Sequence, residues 1–251
     1  MRRLTRTVLG LGLLGLCLAG SNWLPGEPAR AAGQQPERTL KVEHPPLFFR
    51  EDWKLDTTVP NTFTAQEPEH PVGQGDVGNP NLEVHVYGDK GGTRIADQTY
   101  NNAIYAMTLL CTSNCAITLS DKKNDVDLSG LATIRWRTRV SGFHFLHPIL
   151  KLADGTWLVG DKATGFSTDW IESEIELVDV RWRRLDIDTV VENRDGKWVD
   201  YPDLHHVEEI GFTDLMRGAG HGSGGGSRVD WIEVYGKPVP RVASESKSSS
   251  R

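Results

Sequence analysis

Arg135, Arg137 and Arg139 stand two residues apart in Leu131-Ala-Thr-Ile-Arg-Trp-Arg-Thr-Arg139, so on a β-strand their side chains share one face. Three guanidinium groups in that arrangement repel one another unless carboxylates or a ligand neutralise them. Each fork suits a carboxylate or a pair of hydroxyls. A matching acidic stripe occurs in Ile171-Glu-Ser-Glu-Ile-Glu-Leu177, where Glu172, Glu174 and Glu176 share a face. Two outcomes follow. If the strands adjoin, the stripes form a cross-strand ladder of charge pairs on a solvated face. If they do not, the arginines form a ligand-binding face.

Aromatic side chains supply the second chemistry. Trp136 and Trp231 alternate with charged residues, which predicts that both face the core. Trp170 lies beside Asp169 and Trp198 beside Lys197 in turn-rich sequence, where an exposed indole can stack on the apolar face of a sugar ring. His221 stands in Arg217-Gly-Ala-Gly-His-Gly-Ser-Gly-Gly-Gly-Ser227, and Gly220-His-Gly-Ser-Gly-Gly225 formally matches G-x-G-x-x-G. A dinucleotide site needs a helix after the glycines, and strand-like sequence follows instead, so the segment reads as a hairpin loop. The candidate ligand-binding set is therefore Arg135, Arg137 and Arg139, with Trp170, Trp198 and His221 at the rim. A catalytic alternative uses Asp154 and Asp169 with His221. It requires two carboxyls to converge within about 5–9.5 Å, which spacing along the chain does not determine. No nucleophile elbow, H-E-x-x-H or P-loop is present.

Short alternating segments must position these residues. Residues 47–53, 82–87, 104–110, 116–119, 131–139, 143–151, 156–159, 171–177, 182–187, 207–213 and 229–235 read as strands, punctuated by Gly, Asp, Asn and Pro. Ala153-Asp154-Gly155-Thr156 carries the Asp-Gly hairpin signal. Residues 57–80 read as an extended loop, and 202–207 as one helical turn at most. Strands without intervening helices predict an all-β, antiparallel β-sandwich of jelly-roll type. Cys111 and Cys115 flank three residues between two strand-like segments, which predicts a tight hairpin closed by a disulfide.

The chain has 251 residues and a formal net charge of -6, in the range of one large β domain and unlike a general nucleic-acid binder. Arg2, Arg3 and Arg6 precede a short apolar run over 8–19, and Ala29-Arg30-Ala31 offers an A-x-A cleavage site. These features predict a secretory signal peptide over 1–31, a linker over 32–46, one domain over 47–240 and a disordered Ser-rich tail over 241–251. Cleavage removes four arginines and Glu27, leaving a more acidic chain with no membrane span, located outside the cell or in the periplasm. An oxidising compartment favours the disulfide.

Val126-Asp-Leu-Ser-Gly-Leu-Ala-Thr-Ile-Arg-Trp136, Trp182-Arg-Arg-Leu-Asp186 with Val207-Glu-Glu-Ile-Gly-Phe212, and the closing run Arg228-Val-Asp-Trp-Ile-Glu-Val-Tyr-Gly236 together resemble the galactose-binding-domain-like jelly rolls. That group includes CIA30-related domains and several carbohydrate-binding modules. The resemblance covers residues 82–235. It implies a sugar-binding or scaffold role with a structural calcium, for which Glu51 or Asp52 with Asp230 or Glu233 can supply oxygen ligands if the terminal strands adjoin. Three functions remain open from the sequence. The first is an exported, non-catalytic protein binding a carbohydrate or glycan. The second is a glycoside hydrolase or sugar lyase on the same fold, and the third a structural or assembly protein of the envelope.

Overall fold

The computed structural model describes residues 43–60, 69–98, 103–193, 195–215 and 226–241. The expected signal segment, most of the linker, the tail after 241 and His221 lie outside them. The described chain forms β1 (Leu47–Asp52), β2 (Glu69–Pro71), β3 (Leu82–Gly88), β4 (Arg94–Gln98), β5 (Ala103–Met107), β6 (Cys115–Asp121), β7 (Asn124–Asp127) and β8 (Thr133–Ser141). It continues with β9 (Leu146–Leu152), β10 (Trp157–Gly160), β11 (Ile171–Glu176), β12 (Trp182–Asp186), β13 (Val191–Glu192), β14 (Val207–Asp214), β15 (Gly226–Tyr235) and β16 (Lys237–Pro240).

These strands make two antiparallel sheets, the β-sandwich that the alternation predicts. One has the order β11-β8-β15-β5-β4-β2, with β1 also lying along β15. The other has the order β13-β12-β10-β9-β14-β6-β3, with β7 along β14 and β16 along β7. Period-two alternation turns Ile134, Trp136 and Val140 of β8 inward onto Leu150, Leu158, Ile210 and Phe212 of the facing sheet. The Arg135, Arg137 and Arg139 positions consequently face outward. Helical structure in the described chain consists of 3-10 turns such as Gln74–Asp76 and Leu177–Asp179. The helical turn considered at 202–207 does not form; those residues run as irregular backbone into β14.

Two expected hairpins are crossovers instead. Cys111 and Cys115 are disulfide-bonded, but β5 belongs to the first sheet and β6 to the second. The disulfide therefore pinches a passage between layers. The cause is competition for partners: Met107 pairs with Arg94 and Arg228, and Cys115 with Gly88 and Asp214. Likewise β14 and β15 lie in different sheets, so the glycine-rich run does not join hydrogen-bonded neighbours. The Asp154-Gly155 turn does close a hairpin, with Trp157 opposite Lys151 and Gly155 at φ 83°. Because the Cys111–Cys115 loop is short, replacing both cysteines with alanine is expected to cost about 2 kcal/mol in a urea titration, without abolishing folding.

Trp231 departs from its expected place in the core. A register shift between Val229 and Trp231 sets Trp231 opposite Arg137, on the outer face. It is nevertheless only 8% exposed, because the Arg50 guanidinium lies 4.4 Å and that of Arg135 6.0 Å from its ring centre.

Candidate functional site

The two charged stripes meet. Strand β11 pairs with β8 so that Glu172 is opposite Arg137 and Glu174 opposite Arg135. Arg135 forms ion pairs with Glu174 at 3.4 Å, Glu172 at 3.8 Å and Glu233 at 3.2 Å. Glu233 also takes Arg50 at 2.6 Å, and Arg137 pairs with Asp230. Burial pushes the Asp230 carboxyl above its ordinary range, and the Arg137 guanidinium opposes that rise. Two of the three stripe arginines are thus committed to protein carboxylates, and Arg139 has no ion-pair partner among the described residues.

The rim residues do not form one surface with them. Trp170 shares the arginine face, 5.2 Å from the Arg137 guanidinium and 5.4 Å from the Tyr105 ring. Trp198 belongs to the other sheet's side, where Arg181 and Arg183 sit 4.2 and 4.1 Å from its ring centre. Its π system is therefore engaged by two cations and is not a free platform. His221 lies outside the described residues.

The oxygen ligands suggested for calcium are engaged by protein partners. Strands β1 and β15 adjoin as the sequence implies, but alternation turns Glu51 inward, where Gly78 N donates to it at 2.6 Å and Asn79 N at 3.0 Å. Burial raises its carboxyl above the ordinary range. Asp52 is held by Arg50, Asp230 by Arg137, and Glu233 by Arg50 and Arg135, so each of these carboxylates is paired with a guanidinium. Among the described residues no group of three His, Cys, Asp or Glu side chains is placed to hold a metal.

Asp154 and Asp169 do not converge. Asp154 closes the turn after β9 and accepts from Thr156 N at 2.8 Å. The segment leading to Asp169 is pinned to the start of β9 through Leu146 and Thr164, and Asp169 accepts from Trp170 N at 2.7 Å. Both carboxylates serve local turns.

A large concavity lies elsewhere, in three stretches that the strand pattern leaves irregular. Residues 128–130, 177–182 and 198–205 enclose an open cleft of about 820 Å³, within the roughly 300–1,000 Å³ typical of small-ligand sites. Its walls are tied by Leu128 N to Leu204 O at 2.8 Å and by Val199 N to Trp182 O at 2.8 Å. Leu128, Leu177 and Trp182 form a buried apolar floor, and Arg181, Asp200, Asp203 and His205 supply polar groups at its margin. Tyr201 stands on the wall, 99% exposed, with its backbone at φ 50°. A non-glycine residue in the left-handed region costs about 1–3 kcal/mol, and such residues cluster at ligand sites. The sequence signal that marks this place is the run Trp198-Val-Asp-Tyr-Pro-Asp203, which packs two aromatics and two acids into a stretch without strand periodicity.

One ion pair steadies the cleft. Asp127 accepts from Ser129 N at 2.9 Å and pairs with His205 Nδ1 at 3.3 Å. Partial burial raises the Asp127 carboxyl, and the Ser129 and His205 contacts outweigh that and bring it below the ordinary value. A depressed carboxyl contributes stability that is present above its unfolded pKa and lost as pH falls through the folded one. Asp127→Asn is therefore expected to flatten the acid limb of a stability-against-pH curve and to leave the shape at neutral pH unchanged.

A second polar cluster, on the outer face of the β9 sheet, is also absent from the sequence reading. Glu209 accepts from Thr118 Oγ1 at 2.6 Å and Tyr87 Oη at 2.9 Å, and pairs with Lys151 Nζ at 3.1 Å. Tyr87 packs edge-on against Trp157 at 5.0 Å. Burial and the Glu209 charge push the Tyr87 phenol up. Every named group there is satisfied by another.

No protein-family model and no curated protein sequence matches the chain. Solved structures similar to it include a family 11 carbohydrate-binding module from Clostridium thermocellum in complex with a β-1,3-1,4-mixed-linked tetrasaccharide. It is 16% identical with a TM-score of 0.36, over 75% of this chain and 96% of that one. A family 29 carbohydrate-binding module from Piromyces equi is 12% identical with a TM-score of 0.38, over 69% of this chain and 93% of that one.

Proposed function

We propose that this chain is an exported, non-catalytic glycan-binding β-sandwich whose ligand lies in the cleft between residues 128–130, 177–182 and 198–205. The observation that carries the reading is Tyr201, a fully exposed aromatic residue held in a disfavoured backbone conformation on the wall of a large cleft. A pyranose offers an apolar C–H face and a rim of hydroxyls. The cleft offers a ring to stack on, with Asp200, Asp203, Arg181 and His205 beside it to exchange hydrogen bonds. Export is supported by the basic start, apolar run and A-x-A site, and by the Cys111–Cys115 disulfide. Binding without turnover is supported by the separation of Asp154 from Asp169 and by their use in local turns.

The test is a glycan array on the chain from residue 32, followed by titration of the hits with Tyr201→Ala. The expected result is binding that weakens about tenfold in the variant, the scale of one lost stacking contact, with no sugar released. Unchanged affinity in Tyr201→Ala removes the cleft as the site, and released sugar replaces the binding reading with the hydrolase or lyase one.

A further inference from the structure

We propose that Arg139 and Arg228 form a separate subsite for an anionic group, a sulfate ester or a uronate, carried on a polysaccharide. The charge ladder on the outer face of the first sheet is neutralised at one end and left positive at the other. Arg135 and Arg137 each have carboxylate partners, as described above. Arg139 comes next on β8, and the residue directly opposite it on β15 is Arg228, a second arginine. Like charges directly opposite on paired strands are destabilising. Neither guanidinium has an ion pair among the described residues. Arg228 donates to Ser141 Oγ at 3.3 Å and lies 6.0 Å over the Tyr105 ring, and the Arg139 side chain has no hydrogen bond among the described residues. Two half-buried arginines directly opposite on paired strands offer guanidinium forks that one tetrahedral or planar anion would bridge, and in doing so it would remove the repulsion.

The neighbourhood favours a sugar as the carrier of that anion. Trp170 and Tyr105 pack together at 5.4 Å on the same face, with Arg137 5.2 Å from the indole, so the half-buried Trp170 borders the arginines. An aromatic edge beside a guanidinium pair suits a ring whose face is apolar and whose substituent is charged. The feature stands out in a chain whose formal net charge is -6, since the general field of the protein repels polyanions and only a local site can hold one. The subsite does not share a residue with the cleft and does not depend on it.

The experiment titrates the chain from residue 32 with dextran sulfate, polygalacturonate and unmodified dextran, and with phosphatidylglycerol vesicles, at low and high salt. The expected result is salt-sensitive binding of a sulfated or uronate polymer that falls at least about tenfold in R139Q/R228Q and is unchanged in Tyr201→Ala. Thermal unfolding of R139Q/R228Q should occur at the same or a higher temperature, because the repulsion is gone. This shows that lost binding is not lost fold. No binding to either polymer, or equal binding by the double variant, overturns the subsite. Tighter binding to the vesicles than to both polymers overturns the polysaccharide as its ligand.

Discussion

Trp136→Ala lowers the stability of the sandwich by about 4 kcal/mol, enough to leave a domain of ordinary stability near its unfolding threshold at room temperature. The ring is completely buried at the centre of β8, against the facing sheet, so truncation removes its transfer energy and leaves a cavity that rigid sheets refill poorly. Its indole N–H also donates to Thr164 Oγ1 and Ser173 Oγ, both at 2.9 Å, which ties β11 and the segment before it to the core. Trp136→Phe keeps most of the apolar volume and loses the donor. Thr164 and Ser173 remain bonded to each other at 3.1 Å, so this variant should cost only about 1–2 kcal/mol. Urea denaturation of both variants separates the two contributions. A Trp136→Ala loss below that of Trp136→Phe is incompatible with this packing.

Asp76→Ala is expected to cost about 3–5 kcal/mol, although residue 76 lies in a stretch without strand periodicity. Its carboxylate is 1% exposed. It accepts from Asp56 N at 2.9 Å, Gly73 N at 2.8 Å and the buried His70 Nε2 at 2.8 Å. Removing it takes the acceptor from two backbone donors and from the buried His70 Nε2. Asp76→Asn retains one oxygen and should recover about half of the loss. Thermal unfolding measures both, and the same experiment on an exposed acid such as Asp188 provides the baseline.

These two residues show where the sequence is readable and where it is not. Trp136 is legible because β8 alternates strictly; the same alternation puts the arginines and the glutamates each on one face, and only the fold shows that Arg135 and Arg137 lie opposite Glu174 and Glu172. Asp76 is not, because residues 57–80 carry only turn chemistry, and nothing local shows that the turn folds inward onto His70. Trp231 is misread for a different reason: a single-residue bulge after Val229 inverts the alternation on which its placement depends. Short strands such as β4 and β16 escape notice because Arg94-Ile-Ala-Asp-Gln98 is too brief to show a period, and Lys237-Pro-Val-Pro240 contains two prolines tolerated only beside a sheet margin. Both expected hairpins become crossovers because strand partners are chosen by the whole sheet, not by loop length.

The candidate site follows the same division. Arg139 and Trp170 are visible from spacing and from neighbouring residues. The cleft is not, since it is assembled from three irregular stretches that lie far apart in the chain. Trp198 looks free next to Lys197, and only the fold brings Arg181 and Arg183 over its ring. Tyr201 has no sequence mark of its own beyond its neighbours, because a positive φ in a tyrosine is imposed by packing at either side.

The most direct measurement is amide chemical-shift mapping of the isotopically labelled chain as the tightest neutral glycan from the array is titrated in. Saturable shifts concentrated in residues 128–130, 177–182 and 198–205 are expected, largest at Tyr201 and its neighbours, with about tenfold more glycan needed for half-saturation in Tyr201→Ala. Shifts confined to another face, such as the Glu209, Tyr87 and Lys151 cluster, or no shifts with any glycan, would contradict it.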